Sequence, residues 1–330
     1  AVPQRAPGGP VAVGFRSRSL SMSARRSKQI RTIAEIGEDR LVEDRVSALP
    51  APGPDVIAGP GDDCAVLRSA RPRSHRLFKA DTLVEGIHFL ADAPPSRVGW
   101  KALCRPASDV AAMGGRPGYA LVTLVLPPET DANWARRLSR GIAKASRELG
   151  IAVVGGETSG APAGSPRVVD VSLLGEVEAS RCVFRSGGRP GDLLFVTGTL
   201  GGSPAGKHLR FMPRVAEARW LVKHFRLHAM MDLSDGLGAD LPRLCRASGT
   251  RYEVDPAKLP RSRGCDAEAA ITDGEDYELL FAVAPQSRAR LLNTWHEAFP
   301  NLPLTEIGRL TPAGSAGAPE LADGFKHFQE

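Results

Sequence analysis

Residues 119–156 read YALVTLVLPPETDANWARRLSRGIAKASRELGIAVVGG, a strand-like run, a helix-like run and a second strand-like run in succession. The first part, Tyr119 to Leu126, has the Val and Leu content of a buried strand. In the middle, Trp134, Leu138, Ile142, Ala145 and Leu149 recur at spacings of 4, 4, 3 and 4, which draws one apolar stripe down a helix. Gly150 then provides a C-terminal stop. Ile151 to Val154 reads as a strand running into Gly155-Gly156.

The same alternation extends outward. Upstream, Leu77 to Ala80 reads as a strand and Val98 to Met113 as a helix, with Pro106 inside it at a cost of about 3 kcal/mol or a kink. Downstream, Val168 to Val177 reads as a strand. Gly187-Gly188-Arg189-Pro190-Gly191-Asp192 then opens a new half of the chain. That half contains a strand from Leu193 to Thr197, a helix near Arg214 to Phe225 and a strand from Tyr277 to Val283. A short helix from Leu241 to Ser248 is expected, with Asp240 as N-cap, Pro242 in its first turn and Gly249 at its end. Alternation over 330 residues, too many for one comfortable core, implies an α/β protein of two domains. We place them at 28–178 and 179–330, after a tail at 1–27.

The charge is unevenly distributed. Up to Ile33 the chain carries Arg5, Arg16, Arg18, Arg25, Arg26, Lys28 and Arg31 and no acid. Without these seven, the 43 Lys and Arg fall to 36 against 37 Asp and Glu. The body is therefore near neutral, and binding of nucleic acid through phosphate neutralisation is not indicated. The tail is rich in Arg, Ser, Gly and Pro and is expected to be disordered. It reads as upstream sequence before a start at Met22, as an organellar transit peptide, or as a solvated extension. No apolar run approaches the roughly 20 residues of a membrane span. The five cysteines are scattered without a CxxC pair, which favours neither zinc nor a disulfide framework and suits a reducing cytoplasm.

The chemistry is carried by carboxylates beside glycines at the ends of the expected strands: Gly61-Asp62-Asp63, Asp81 before Thr82, Ser108-Asp109, Gly155-Gly156-Glu157-Thr158 and Asp232-Leu233-Ser234-Asp235-Gly236. Hard divalent cations take carboxylate and phosphate oxygens, and a glycine lets a phosphate approach the backbone. Five such clusters suggest several metals and a polyphosphate; each alone is also ordinary turn chemistry. The segment Gly201-Gly202-Ser203-Pro204-Ala205-Gly206-Lys207 fits GxxxxGK, but His208 stands where the metal-binding Ser or Thr belongs. A glycine-rich connection is the better reading of it. His88, Arg185 and Glu275 are further candidates, with a structural donor, a surface charge and a turn as their plain alternatives.

Taken together, GPGDDCAVL (Gly59 to Leu67), DTLVEGIHF (Asp81 to Phe89), SDVAAMGGRP (Ser108 to Pro117), VVGGETS (Val153 to Ser159), MDLSDGLGADL (Met231 to Leu241) and GEDYELLF (Gly274 to Phe281) resemble the thiamine-monophosphate kinase family. That family shares a superfamily with aminoimidazole ribonucleotide synthetase and selenophosphate synthetase. The terminal GFKHF (Gly324 to Phe328) is similar to its closing aromatic motif. The resemblance implies an aminoimidazole-ribonucleotide-synthetase-like fold, α/β of the α+β type, whose N-terminal sheet pairs with a second subunit. It implies ATP held with several Mg²⁺ ions and thiamine monophosphate as acceptor. Carried over by position, it makes Asp63, Asp81, Asp109, Glu157, Asp232 and Asp235 metal ligands, with Asp109, Asp232 and Asp235 central to catalysis. Gly156, Glu157, Arg185 and Ser234 become nucleotide contacts, and His88, Glu275 and Phe325 substrate contacts.

The chain departs from the family pattern in places. Lys79-Ala80 stands where two hydroxyl residues usually precede the metal-binding Asp. Pro106 replaces a common Asn, Glu157 an Asp, Gly160 an Arg, and Phe325-Lys326 an aromatic-Asp pair. These departures make a catalytically weakened nucleotide-binding relative the rival from another class. The closer rival is an ATP-using enzyme of the same superfamily with another acceptor; of these, selenophosphate synthetase would bring a reactive Cys in an N-terminal glycine-rich loop, and the tail contains none.

Overall fold

The computed structural model describes residues 32–315 and 321–325. The expected tail at 1–27 and the family motif beyond Phe325 lie outside the described residues. The elements run α1 (Ile33–Ile36), α2 (Glu38–Ser47), β1 (Val56–Ala58), β2 (Ala65–Arg68), β3 (Ser74–Val84), α3 (Pro95–Ala112), β4 (Arg116–Leu126), α4 (Ala132–Leu149), β5 (Ala152–Gly160) and β6 (Val168–Glu178). They continue with β7 (Leu193–Thr197), α5 (Val215–His224), β8 (Leu227–Asp232), α6 (Leu237–Ser248), β9 (Thr250–Val254), α7 (Ala267–Thr272), β10 (Leu279–Val283), α8 (Arg288–Ala298) and β11 (Leu304–Pro312).

Two sheets form, one from each half. The first has the order β1-β2-β3-β6-β4-β5 and the second β8-β10-β7-β11-β9. All neighbours are antiparallel except β4 and β5, which α4 joins as a parallel pair. The stripe seen in the sequence places Trp134, Leu138, Ile142 and Ala145 in the core. Asp131 accepts from the Asn133 amide at the start of α4, and Gly150 closes it at φ 66°.

Helix α3 is the centre of the molecule, buried along nearly its whole length. It packs on β3, β4 and β6 of the first sheet, on α4, and on α5 and β8 of the second half. Two glycines make its crossing with α4 possible. A Cβ on Gly99 would stand 2.1 Å from the Leu138 carbonyl oxygen, and one on Gly141 would stand 2.0 Å from that of Ser96. The helix continues through Pro106, which is itself buried. Proline removes the bond to the carbonyl one turn back, and burial on several sides compensates for it.

Three sequence expectations are revised. Helix α6 begins four residues before the expected start, with Gly236 as its N-cap at φ 95°. The strand at 151–154 extends to Gly160, so Gly156 and Glu157 belong to a strand and not to a loop after one. Asp81 lies within β3 and Asp109 within α3, so neither ends a strand.

Candidate functional site

Strand β3 alternates its side chains in period 2. Leu77, Lys79, Asp81 and Leu83 face inward, toward α3, while Phe78, Ala80 and Thr82 face out. On α3, Arg105 and Asp109 stand one turn apart and therefore share a face. The two elements meet through their charges: Lys79 Nζ is 2.7 Å from Asp109 Oδ1, and Arg105 is 3.7 Å from Asp81.

Two further carboxylates reach Asp109. Asp63 comes from the turn before β2 and Asp232 from the last residue of β8. Asp63, Asp109 and Asp232 are all buried, and ligand oxygens from the three lie within 4.8 Å of one another. Burial, then the charge of Asp63, pushes the Asp232 carboxyl up to about 7, against the hydrogen bond from Ser108 Oγ at 2.5 Å. Burial likewise raises Asp109 well above the carboxylate range, against Lys79 and with the neighbouring carboxylates. Asp63 gives one oxygen to Arg185, 2.5 Å from Nη2, while its Oδ2 is buried with no hydrogen-bond partner among the described residues. Mutually repelling, desolvated carboxylates with an open oxygen fit a divalent cation, which takes oxygen ligands and removes the repulsion.

The cluster opens into a cavity of about 810 Å³. Its walls also carry Arg105, Arg185, Arg243 and Arg246, with His88, Ser234 and Asp235 among the rest. Asp240 holds the Ser234-Asp235 loop by accepting from both amides at 2.9 Å. It does not cap its helix as expected; its side chain turns back to the loop before it. Arg243 pairs with both Asp235 and Asp240. The Phe325 amide bonds the Asp235 carbonyl at 2.8 Å, which draws the C-terminal segment to this loop.

A second polar group centres on Lys101, whose side chain is wholly buried in α3. It lies 2.5 Å from Glu275, 2.6 Å from the His88 carbonyl and 2.6 Å from His208 Nδ1. Glu275 also lies 2.9 Å from His208. Burial alone would raise the Glu275 carboxyl, but the hydrogen bond from His208 and the charge of Lys101 bring it down to about 2. Burial lowers the Lys101 ammonium to about 8, against the pull of Glu275. Glu275 and Tyr277 adopt φ 51° and 54°, a left-handed geometry that non-glycine residues hold only where the surroundings enforce it.

The structure thus gathers Asp81, Asp109, Asp232, Asp235, Ser234, Arg185 and His88 around one cavity, with Asp63 buried behind Arg185. It does not bring Gly156 and Glu157 there. Strand register aligns Thr82, Asp170, Thr123 and Glu157 in one row, on the outer face to which Thr82 points. Glu157 is exposed, as is all of β5. The GxxxxGK segment is used internally: Lys207 pairs with Asp276 at 2.7 Å, and the Gly201 and Gly202 amides bond Asp276 and Asp273. The segment is a tied connection and not a phosphate cradle.

Sequence reasoning missed Lys101, Arg105, His208 and Arg243. The one available signal was a lysine set in the apolar run Trp100-Lys101-Ala102-Leu103-Cys104. Among the described residues, no helix is long and apolar enough to cross a membrane.

Comparison with known proteins identifies the family. The family model for the N-terminal domain of AIR synthase related protein matches residues 61–177, and that for the C-terminal domain matches 189–318. The chain is 36% identical to the thiamine-monophosphate kinase of Rhodopirellula baltica over 275 residues, covering 78% of this chain and 84% of that protein. It is 33% identical to the enzyme of the same description from Escherichia coli K12, covering 83% and 93%. A solved structure described as "AaThiL complexed with AMPPCP and TMP" superposes with a TM-score of 0.76 at 33% identity, covering 91% of this chain and all of that one. With both domains matched and such relatives spanning most of its length, the chain belongs to the AIR synthase related family, among the thiamine-monophosphate kinases.

Proposed function

We propose that the chain is an ATP-dependent, Mg²⁺-requiring kinase that transfers the γ-phosphoryl of ATP to the phosphate of thiamine monophosphate, giving thiamine diphosphate. The observation that carries this reading is the buried Asp63, Asp109 and Asp232 cluster, with its unpartnered Asp63 oxygen, at the base of an arginine-lined cavity. Relatives of the same description, and the solved relative bound to AMPPCP and TMP, support the choice of substrates.

The attacking group is a phosphate oxygen, already ionised at neutral pH, so no general base is required. The obstacle is the approach of two polyanions, and the chain's task is to position and neutralise them. Asp63, Asp109 and Asp232, with Asp235 nearby, would hold Mg²⁺, which supplies positive charge to the phosphate oxygens, while Asp81 is paired with Arg105. Arg185 and Ser234 face the same cavity and are assigned to the nucleotide. His88 and Glu275, braced by Lys101, are assigned to the acceptor, with Phe325 beside the Asp235 loop. Support for a two-domain division at 178 and 179 comes from β6 ending at Glu178, with the strands of the second sheet all lying after it.

We also assign the chain to a homodimer in the cytoplasm. The outer face of the first sheet exposes Phe78 (49%), Tyr119 (58%) and Leu121 (48%) beside Val154 (62%) on β5. An uncovered apolar face of this kind marks an interface. Gly156 and Glu157 lie on this strand, so a second copy would be needed to place them near a nucleotide. Replacing Phe78 and Leu121 together with Glu is expected to reduce the light-scattering mass from two chains to one. A mass unchanged in this variant, at micromolar concentration, would rule out that face.

The activity itself is tested by incubating the purified protein with thiamine monophosphate, ATP and Mg²⁺ and separating the products. Thiamine diphosphate formed in proportion to ADP is the expected result. Mg·ATP binding without that product would reject the acceptor.

A further inference from the structure

Lys79 occupies an unusual place for a cation. Its Nζ is 2.7 Å from Asp109 Oδ1, inside a group of carboxylates that otherwise has the character of a metal centre. With Arg105 near Asp81 it completes a crossed square of alternating charge: Lys79 and Asp81 from one face of β3, Asp109 and Arg105 from one face of α3. The four side chains are 25%, 15%, 10% and 15% exposed, so little water competes for them. Arg105 is fixed as well by its bond to the Thr82 carbonyl at 3.1 Å. On the far side of Asp109, by contrast, Asp63 keeps a buried oxygen with no partner among the described residues.

We infer that Lys79 is a built-in cation of this centre: its ammonium stands in for a divalent ion between Asp81 and Asp109, and metal binding is confined to the Asp63, Asp109 and Asp232 side. This rests on the reading of the cluster as a Mg²⁺ site. A divalent ion takes a carboxylate oxygen at about 2.1 Å. If it bound the oxygen that already receives Lys79, it would meet a fixed positive charge in a poorly solvated pocket, where repulsion is weakly screened. An ammonium carries one charge instead of two and donates directed hydrogen bonds. The chain therefore neutralises the Asp81 edge of its carboxylate group at folding and leaves the Asp63, Asp109 and Asp232 edge for metal, where Arg185 already meets one Asp63 oxygen.

The test counts Mn²⁺, as a paramagnetic probe for Mg²⁺, bound to the purified protein in the absence of nucleotide and thiamine phosphates. The wild type is expected to bind about one equivalent tightly, and Lys79→Thr about two, since the freed carboxylates accept oxygen-seeking ions. Lys79→Arg should retain the wild-type count. Asp81→Asn should leave wild-type binding unchanged but remove the equivalent gained by Lys79→Thr. Equal counts and affinities for wild type and Lys79→Thr would overturn the proposal. If Lys79→Thr does not fold, the wild-type background decides: loss of Mn²⁺ on Asp81→Asn overturns the proposal, and unchanged binding supports it. Because no substrate is present, this result is separate from the kinase assay. A wild type that keeps its tight Mn²⁺ after Asp63→Asn would instead refute the location of the metal centre.

Discussion

Asp109→Asn and Asp232→Asn should each lower turnover by about 10²- to 10⁴-fold while leaving the protein folded. At about 1.4 kcal/mol per factor of ten, this asks each charge for roughly 3–6 kcal/mol of transition-state stabilisation. Asparagine keeps an oxygen that can accept from Ser108 at position 232 or from Lys79 at position 109. The local hydrogen bonds therefore survive, and what is lost is negative charge at a site whose purpose is to gather positive charge. The folded state should not suffer, because three buried carboxylates within 4.8 Å repel one another until something neutralises them. Millimolar Mg²⁺ is expected to raise the melting temperature of the wild type by mass action on the native state. That rise should shrink or vanish in both variants. Turnover above about a third of wild type in both would contradict a catalytic metal at this cluster, given the size of effect such charges normally have.

Why these two residues were legible, and others were not, follows from what a chain order can express. The helix from Ala132 to Leu149 was visible because a single stripe decided its burial and Gly150 marked its end. Asp63, Asp109 and Asp232 were visible as residues, beside glycines or in motifs. Their convergence was not, since it depends on a turn, a buried helix and a strand end from different parts of the chain meeting at α3. Asp240 shows how a local rule was overridden: an Asp before Leu and Pro looks like a cap, but the bonds it makes to Ser234 and Asp235 hold the loop behind it. Glu157 shows the reverse case. Its motif suggested proximity to phosphate, whereas strand alternation turns it to the outer face of the sheet, away from the Asp81 side. Period-2 geometry decides that point, and it needed the register, which the sequence did not contain.

Lys101→Met should be the most damaging single change outside the carboxylate cluster. Lys101 is fully buried and holds groups from separate segments together: it donates to the His88 carbonyl and pairs with Glu275, and its Nζ lies 2.6 Å from the His208 nitrogen that bonds Glu275. Methionine fills the same volume without donating, so the His88 carbonyl and one side of Glu275 lose their partner. Removing one member of a buried pair is more costly than replacing both; with Glu275 partly solvated and still bound to His208, a loss of about 2–4 kcal/mol is expected. The double variant Lys101→Met/Glu275→Gln should recover part of this, because no charge is then stranded. The pH dependence has a defined sign. Glu275 is held down to about 2 in the folded protein, against an ordinary value of 4.5. Its contribution to stability is therefore present above that ordinary value and lost as pH falls toward 2. Urea unfolding should accordingly show the gap between wild type and Lys101→Met narrowing below about pH 4.5. Since Lys101 braces both residues assigned to the acceptor, KM for thiamine monophosphate should rise about tenfold with KM for ATP little changed, the pattern of lost ground-state binding. A variant within about 0.5 kcal/mol of wild type, or one that raises both KM values alike, would remove Lys101 from this role.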